Sequence, residues 1–531
     1  MTTHATPSQT QMQPLYAAWQ RRDLSTVVSL GSILLMRFPN AAPLLNLLGA
    51  AQASLGRQAE AAELLGRAAR LSPDSPETQG NYGNLLLQMG RHGEALECFL
   101  KALAIRPTIA ELHFNAGVAF AALEQTEQAM RAFRHALELK PQLAQASARL
   151  AALLQARGEL AEAIRLYRDA LAQQPDPLTW FNLATAQRNA GLMLDSIASY
   201  RQALALDPRY AEAHSNLGEA LRDSGDIDAA IASYKTALGI APELPKAHYS
   251  LGVLLYDLGR LEEAIPHLEA SRHDDWHDRV LYCLYKTGRL EVFRQQLDAR
   301  VEAGPHDAPL LATLSAHHAA NYGVEDRYTF CPKPMDFIVH GHLDALEGDS
   351  PLRQALLHDI TRAAIVERDQ GRLHFGVQSS GNLFRRPEDS FRQLGELIKM
   401  ELRKYRDHFA GSDCQLITRF PDELDISSSW YVKMRKGGHL DSHIHEGGWV
   451  SGVVYLAIPE GDPAPDAGNI EFSTNGDKYP SQHDDWPRQV LDVKVGDYAF
   501  FPSSLFHRTI PFDSAEERIC IAFDLKPAEP A

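Results

Sequence analysis

The sequence is poor in cysteine, has fewer basic than acidic residues and lacks a long apolar run. Its 531 residues include five cysteines, which are widely scattered: Cys98, Cys283, Cys331, Cys414 and Cys520. An odd number at such spacings excludes both a disulfide framework and a CxxC metal site. We therefore expect a reducing, cytoplasmic setting.

The balance of charge excludes two further classes of partner. Lysine and arginine together number 52, against 68 aspartates and glutamates, which gives a net charge of −16. Proteins that coat nucleic acid or anionic membranes need clustered basic residues, so we expect neither partner. The apolar run over residues 29–36 is too short to span a bilayer, and the first residues (MTTHATPSQTQMQP) lack the pattern of a signal peptide.

The first half of the chain repeats with a period of about 34 residues. Prolines mark this period at Pro73, Pro107, Pro141, Pro175, Pro208 and Pro242. Each repeat also carries small and bulky residues at fixed places, such as Gly83, Ala95 and Phe99. The pattern predicts pairs of helices that cross closely at the small residues. The bulky side chain would fill the gap between neighbouring pairs, and proline would end the second helix.

This arrangement resembles the tetratricopeptide repeat (TPR), a helix-turn-helix unit of about 34 residues. Seven units fit residues 42–275, and a degenerate eighth unit fits residues 8–41. Residues 272–304 show a helical pattern and are expected to cap the array. The resemblance implies an all-α TPR superhelix over residues 8–304, whose concave face binds a protein or peptide.

Four repeats carry asparagine at the same position of the first helix: Asn81, Asn115, Asn182 and Asn216. First helices line the concave face of such an array, and an amide side chain both donates and accepts hydrogen bonds. Segments such as AEAHSNLGEAL resemble the repeats of protein O-glycosyltransferases, in which an asparagine row holds an extended peptide. Peptide binding by this row is one interpretation, and tolerance of asparagine at a half-exposed helix position is the other.

The second half of the chain, residues 305–531, changes from helical to strand patterns. Two segments before residue 415 show helical spacing of apolar residues. After Asp425, short segments rich in aromatic and β-branched residues include WVSGVVYLAI, GNIEFS, DYAFFPS and RICIAFDL. This pattern predicts a β-sandwich or jelly roll with flanking helices. The domain boundary is expected near Gly304 and Pro305.

A cluster of histidines opens the β-rich region. Four ligand-type residues follow one another at every second position: His439, Asp441, His443 and His445. In an extended strand, this spacing points all four side chains to one face. Side chains two residues apart lie close enough to share a metal ion, and His507 is the candidate ligand from another strand. The spacing predicts a metal site without deciding which pair contributes to it.

These residues lie in a stretch that resembles the double-stranded β-helix of 2-oxoglutarate/Fe(II)-dependent oxygenases. The resemblance rests on HIHEGGWVSGVVYL, GNIEF, GDYAFFPSSLFH and ERICIAFDL in this order, with FCPKPMDFI and HFGVQSSGNLF upstream. It covers about residues 325–527. It implies Fe(II) as the metal, 2-oxoglutarate as the cosubstrate and O2 as the oxidant, with no catalytic residue beyond the ligands of these groups.

In this family a histidine, a carboxylate two residues later and a distal histidine hold the iron as a facial triad. The resemblance places the first and distal ligands at His443 and His507. The position between them is His445, where most members have aspartate or glutamate, so the implied set is three histidines. The pair His439 and Asp441, which reads H-x-D, is the alternative. We rank it second, because His443 and His445 align with the following SGVVYL strand as in the family. Asp441 and Glu446 are further candidates for the carboxylate ligand.

The family also grips the distal carboxylate of 2-oxoglutarate with a basic side chain on the last core strand. Arg518, eleven residues after His507, is the residue implied, because a guanidinium pairs bidentately with a carboxylate. Arg508 is the second choice. Strand alternation alone does not decide whether Arg518 faces the pocket. Tyr431 and Tyr455 are candidates to hydrogen-bond the cosubstrate, or else core residues.

The two resemblances together imply an oxygenase, in particular a hydroxylase, that acts on a protein or peptide recruited by the TPR array. The alternative is a non-catalytic TPR adaptor with a degenerate jelly roll, which the missing carboxylate at position 445 favours. A nucleotide-sugar glycosyltransferase fits poorly, because the region after residue 305 lacks alternating strands and helices.

Overall fold

The structure is a computed structural model that describes residues 6–303, 308–328, 330–362, 365, 367–368, 371–459 and 464–526. These residues divide into two compact units, with the division between Ala247 and His248. None of the described helices is long and apolar enough to cross a membrane. The expected boundary at Gly304 and Pro305 lies outside the described residues, so the domain limits 8–304 and 305–531 stay a proposal.

The first unit consists of helices that follow one another through short turns. They are α1 (Gln9–Gln20), α2 (Leu24–Arg37), α3 (Ala42–Ser54), α4 (Gln58–Leu71), α5 (Pro76–Gln88), α6 (His92–Ile105), α7 (Ala110–Ala122), α8 (Thr126–Leu139), α9 (Ala144–Ala156), α10 (Leu160–Gln173), α11 (Pro177–Asn189), α12 (Met193–Leu206), α13 (Ala211–Asp223) and α14 (Ile227–Ile240). Helix α15 (Pro245–Asp257) begins in this unit and ends in the second. From α3 to α14, each odd-numbered helix packs against the next as the two helices of one repeat, which confirms the predicted TPR array.

Close contact between a glycine of the first helix and a bulky residue of the second stabilises the repeats. A Cβ atom at Gly83 would lie 2.7 Å from Cε1 of Phe99, and one at Gly117 would lie 2.7 Å from Cε1 of Phe133. Both phenylalanines are buried. The bulky side chain therefore packs within its own helix pair, because the glycine leaves room for its ring. The same rings also belong to buried clusters with side chains of the following repeat, such as Leu112 and Ala116 for Phe99, so they fill the predicted gap between neighbouring pairs as well.

The second unit combines helices with an antiparallel sheet. Its further helices are α16 (Leu261–Ser271), α17 (Trp276–Lys286), α18 (Leu290–Glu302), α19 (Pro309–Tyr322), α20 (Pro351–Arg362), α21 (Asp389–His408) and α22 (Gln415–Thr418). Its strands are β1 (Val339–His342), β2 (Glu367–Arg368), β3 (Leu373–Ser379), β4 (Asp425–His443), β5 (Val450–Ala457), β6 (Ile470–Ser473), β7 (Arg488–Leu491), β8 (Asp497–Pro502), β9 (Phe506–Thr509) and β10 (Arg518–Lys526).

The strands are ordered β1-β8-β5-β10-β4-β9-β6-β7, and β3 pairs with both β2 and β4. Neighbours in the sheet are distant in sequence, as where β10 pairs antiparallel with β4 and β5. This connectivity is typical of a jelly roll, so the predicted fold class is confirmed. Apolar side chains that include Val453, Phe472 and Phe501 form the core of the sheet.

Two helices of the second unit anchor the segment between β6 and β7. The Tyr282 hydroxyl on α17 donates to Oδ2 of Asp477 at 2.7 Å. On α19, Nε2 of His317 lies 3.0 Å from Oδ1 of Asn475, and the ring stacks on Trp486. Burial lowers the pKa of His317 to about 4, so this ring is neutral at neutral pH. The loop that follows β6, the neighbour of β9, is therefore held in place.

The glycine contacts predict opposite effects of one substitution at two helical positions. Gly117→Ala should lower the free energy of unfolding by about 1–3 kcal/mol, because the new methyl group collides with the Phe133 ring. Gly239, in α14, has no atom within 4 Å of a Cβ position. Gly239→Ala should therefore raise the free energy of unfolding by up to about 1 kcal/mol through helix propensity. Thermal and denaturant unfolding check both variants, and equal effects at the two positions would contradict the account.

Candidate metal centre

A one-residue bulge in β4 turns His443 toward the interior of the sheet. Between the pairs Leu440–Thr509 and His443–His507, β4 advances three residues while β9 advances two. An extra residue of this kind reverses the facing of the side chains that follow it. Leu440 and His443 therefore both line the interior cavity, and His443 stands directly opposite His507.

Three imidazoles converge at this point. Ring centroids lie 4.3 Å apart for His443 and His507, and 4.9 Å apart for His445 and His507. One ring nitrogen of each histidine lies within 4.8 Å of the other two. His443 and His507 are each only 6% exposed. The structure thus brings together the three histidines that the resemblance ranked first, in a group able to share one ion.

Hydrogen bonds fix which nitrogen is free in two of these rings. Nδ1 of His443 lies 2.8 Å from the Asp441 carbonyl oxygen, and Nδ1 of His507 lies 3.2 Å from the Leu505 carbonyl oxygen. Because a carbonyl oxygen only accepts, each Nδ1 carries the proton and each Nε2 keeps its lone pair. This tautomer leaves Nε2 available as a metal ligand.

The third ring, His445, is held by a carboxylate. Its Nδ1 lies 2.5 Å from Oδ1 of Asp524, and the Ser451 hydroxyl donates to the same oxygen at 2.7 Å. Burial disfavours the charged form of Asp524, but His445 and the hydroxyl donors outweigh it and lower the pKa of this carboxyl. Asp524 is therefore ionised. It holds the ring through Nδ1, so Nε2 is the nitrogen left to bind a metal ion once the ring is neutral, as with carboxylates behind metal-bound histidines.

Burial keeps the two most enclosed rings neutral. It lowers the pKa of His443 to about 3, with a further contribution from His445. Burial, together with the neighbouring rings, lowers the pKa of His507 well below its ordinary value. A neutral imidazole is the form that binds a metal ion, so both rings are in this form at neutral pH.

The imidazoles border a cavity of about 380 Å³ within the second unit. Arg518 lies in the wall of this cavity with its side chain buried, only 2% exposed. Its Nε donates to the Gly468 carbonyl at 2.8 Å, and no ion pair joins it to a carboxylate of the described residues. A buried cation without an anion is costly, so the cavity favours an anionic ligand.

Tyr455 lies beside Arg518 in the same wall. Cζ of Arg518 is 5.1 Å from the centroid of the Tyr455 ring. The hydroxyl of Tyr455 is buried; burial raises its pKa, and the charge and hydrogen bonding of the nearby Arg518 guanidinium oppose that rise. Arg518, Cys520 and Ala522 all line the cavity. This face of β10 therefore points inward, which the sequence alone did not decide.

Two other residues considered for the cosubstrate lie elsewhere. The hydroxyl of Tyr431 donates to Oε1 of Glu367 at 2.8 Å. It faces away from the cavity, which the adjacent Trp430 lines instead. Arg508 donates to both carboxylate oxygens of Glu471, at 2.9 and 2.8 Å. Strand alternation turns Tyr431 to the other face of β4, where its ring is buried as a core residue. An ion pair engages Arg508, so neither residue lines the cavity.

The alternative pair, His439 and Asp441, does not join His507. His439 stands opposite His374 in the pairing of β3 with β4, and Oδ2 of Asp441 lies 3.0 Å from Nε2 of His374. The prediction that all four alternating residues share one face is wrong, because the bulge after Leu440 breaks the alternation. These residues form a separate, more exposed group.

The four asparagines of the first unit occupy equivalent places on α5, α7, α11 and α13. Asn81 and Asn115 each donate to an asparagine on the first helix of the preceding repeat, at 3.1 and 2.7 Å. The side-chain oxygen of Asn216 accepts from Nζ of Lys246 at 2.8 Å. Asn182 lines a surface cavity of about 450 Å³. The row is therefore regular in position but not in hydrogen bonding.

Sequence reasoning missed Asp524, the carboxylate that holds His445. A signal was available, since Asp524 follows Arg518 by six positions on β10 and so shares its face. The pairing of Asp524 with His445 needs the register of β4 against β10 and the course of the turn after His443. Neither can be read from the spacing of residues.

Comparisons with known families agree with this architecture. Residues 428–524 match the family described as "Putative 2OG-Fe(II) oxygenase". Residues 74–142 and 144–186 match families described as tetratricopeptide repeat, and residues 195–221 and 218–259 match one described as TPR repeat. The chain therefore combines TPR repeats with a domain that matches this oxygenase family. No curated protein matches the chain.

Many solved structures are similar to part of the chain. "YrrB: a TPR protein with an unusual peptide-binding site" is 20% identical over 36% of this chain and 98% of its own, with a TM-score of 0.33. A thermophilic TPR protein of Thermus thermophilus is 24% identical over 34% and 99%, with a TM-score of 0.29. The APC/C hetero-tetramer Cut9-Hcn1 is 21% identical over 49% and 52%, with a TM-score of 0.37.

The contact between Asp524 and His445 predicts a specific effect on metal affinity. Asp524→Asn keeps the shape of the side chain but removes the charge behind the ring, so Fe(II) should bind about 10–100-fold more weakly. Anaerobic titration with Fe(II) measures this. Asp497→Asn is the matched control, because Asp497 also contacts histidines but does not line the cavity. Equal affinities of the Asp524 variant and the wild type would show that the contact has no role in metal binding.

Proposed function

We propose that the chain is an Fe(II)- and 2-oxoglutarate-dependent oxygenase that hydroxylates a protein or peptide recruited by its TPR array. The observation that carries the proposal is that three imidazoles border one cavity together with a buried guanidinium that forms no ion pair with any described residue. Imidazole is a suitable ligand for Fe(II), and guanidinium is suited to a carboxylate. In this proposal His443, His445 and His507 hold the metal, and Arg518 and Tyr455 hold the cosubstrate.

The chain departs from the family pattern at the middle ligand, and Asp524 offers compensation. His445 replaces the usual carboxylate, but an ionised carboxylate lies one hydrogen bond behind it, at 2.5 Å. A carboxylate that accepts from the far nitrogen makes an imidazole a stronger donor to a metal ion. The negative charge that the family places on the metal would here act through the ring of His445.

The cavity suits a small dicarboxylate at one end. The two terminal nitrogens of a guanidinium match the two oxygens of a carboxylate in one plane, and the Tyr455 hydroxyl beside Arg518 has a hydrogen bond to offer. The volume of about 380 Å³ lies in the range of small-molecule sites. Apolar side chains that complete the wall are Val432, Met434, Leu440, Val453, Ile470 and Phe501.

Fe(II), when bound with 2-oxoglutarate and O2, would supply the oxidising step, which converts the keto acid to succinate and CO2 and transfers oxygen to a carbon of the substrate. The protein's own residues would orient the reactants and exclude water. The neutral rings of His443 and His507 present Nε2 lone pairs without losing a proton. Arg518 fixes the direction in which the keto acid lies, and the apolar wall limits the water near the reacting atoms.

The TPR array supports a macromolecular substrate. Its repeats match families of helical repeats. Asn81, Asn115 and Asn182 are partly exposed, whereas Asn216 is only 8% exposed and already accepts from Lys246, so the first three asparagines give the stronger support for peptide contact. In this proposal Asn81, Asn115, Asn182 and Asn216 contact the backbone of an extended peptide. The partner is therefore a protein or peptide.

A non-catalytic adaptor is the second candidate, and the histidine at position 445 favours it. In that case the repeats would bind a partner and the jelly roll would serve as a scaffold. The adaptor would purify without iron and would function without His443 and His507. The two candidates thus differ in metal content as well as activity.

Succinate formation tests the oxygenase directly. The purified chain with Fe(II), 2-oxoglutarate and O2 should release succinate, and His507→Ala should abolish this release. Arg518→Ala should raise KM for 2-oxoglutarate by about 10–100-fold, because a charge-assisted pair is lost. Arg508→Ala is the control, since that guanidinium pairs with Glu471 and should leave KM unchanged. Failure of the wild-type chain to bind Fe(II) would reject the oxygenase in favour of the adaptor.

The asparagine row predicts a loss of peptide affinity. The combined substitution Asn115→Ala, Asn182→Ala and Asn216→Ala should weaken binding of peptides selected from a displayed library with the wild-type chain by about tenfold or more. Asn189→Ala, at the exposed end of the helix that carries Asn182, is the control and should bind normally. Thermal unfolding verifies that the variants fold. Unchanged peptide affinity in the triple variant would mean that the row is not a binding surface.

A further inference from the structure

A second group of possible metal ligands lies outside the cavity. It consists of His374, His439 and Asp441. Among the described residues, two groups of three ligand-type side chains place their ligand atoms within 4.8 Å of one another, and this is the second of them. The His374 and His439 rings stack with centroids 4.4 Å apart. Nε2 of His374 lies 3.0 Å from Oδ2 of Asp441, and Nε2 of His439 lies 3.9 Å from Oδ1.

The backbone prepares His439 to act as a ligand. Its Nδ1 lies 3.0 Å from the Gly437 carbonyl oxygen, which only accepts, so Nδ1 is protonated and Nε2 carries the lone pair. That lone pair faces the carboxylate of Asp441, an arrangement that a cation between them would stabilise. The side chain of Asp441 is 57% exposed, and those of His374 and His439 are 41% and 27% exposed. A metal ion and its remaining water ligands therefore have access from solvent.

We propose that His374, His439 and Asp441 form a second divalent-metal site, of the class that takes Zn²⁺. Two imidazoles and one carboxylate are a common ligand set for Zn²⁺, with water in the remaining position. On binding, the ion would take the place between Nε2 of His374 and Asp441, and the proton that now lies there would move to Nδ1 of a neutral ring or leave to solvent from a protonated ring. This proposal does not depend on the oxygenase reaction, because the bulge in β4 separates these side chains from the cavity.

One residue, Asp441, belongs to the outer group and also helps to orient a histidine of the inner group. The Asp441 carboxylate belongs to the outer group, whereas its carbonyl oxygen accepts from Nδ1 of His443. A bound ion would also hold β3 to β4 next to the bulge, since His374 and His439 come from the two strands. Zn²⁺ binding is therefore expected to stabilise the second unit against unfolding.

The test is the Zn²⁺ stoichiometry of the full chain after metal removal, measured by equilibrium dialysis and elemental analysis. The wild type should bind one equivalent more than His374→Ala, which changes a residue on β3 that does not border the cavity. Asp441→Asn, which conserves the side-chain shape, should lower the affinity for this additional Zn²⁺ ion by about tenfold or more. The double substitution His443→Ala and His507→Ala should leave the outer equivalent in place.

His340→Ala provides the matched control. His340 also lies on an edge of the sheet, is partly exposed and contacts a carboxylate, that of Asp497, at 3.1 Å. It does not belong to either ligand group, so its loss should leave the stoichiometry unchanged. The proposal is overturned if His374→Ala retains the wild-type stoichiometry and affinity, or if His340→Ala loses the same equivalent as His374→Ala. Failure of the oxygenase reaction alone would leave this measurement unaffected.

Discussion

The extra residue in β4 between Leu440 and His443 decides which side chains meet inside the jelly roll. Without it, the alternation of the strand would send His439, Asp441 and His443 to one face. With it, His443 turns inward against His507, and the other two remain with His374 outside. β-Bulges are often found where a strand must redirect a side chain at a functional site. The bulge thus divides one run of ligand-type residues between two places.

The second determinant is the position of negative charge. A facial triad with a carboxylate carries its charge on the metal, whereas this chain has His445 at that position and Asp524 behind it. Ser451 donates to the same carboxylate oxygen, and Asp524 remains ionised although it is enclosed. In the proposed metal site, three ligands are kept while the anion lies behind the His445 ring, at hydrogen-bond distance from its Nδ1. Its affinity for metal should then depend on the contact between Asp524 and His445 as much as on the ligands themselves.

Much of the fold could be predicted from the sequence, because its determinants are local. The repeated prolines indicate where helices end, and the repeated glycines indicate where two helices cross closely, as where Gly117 meets Phe133. The family resemblance predicted that His443 and His507 come together. The bulge that brings them together could not be predicted, because a pattern of alternating residues does not show where a strand contains an extra residue. Strand register determines three features that the sequence did not reveal. These are the direction of Tyr431 away from the cavity, the ion pair of Arg508 and the contact of Asp524 with His445. Register is set by the packing of distant segments.

A structure of the protein loaded anaerobically with Fe(II) and 2-oxoglutarate tests the central claim most directly. The account predicts one iron bound by Nε2 of His443, His445 and His507, with Asp524 still on Nδ1 of His445 and the distal carboxylate of the keto acid on Arg518. Iron bound elsewhere, or a keto acid that lies away from Arg518, would contradict it.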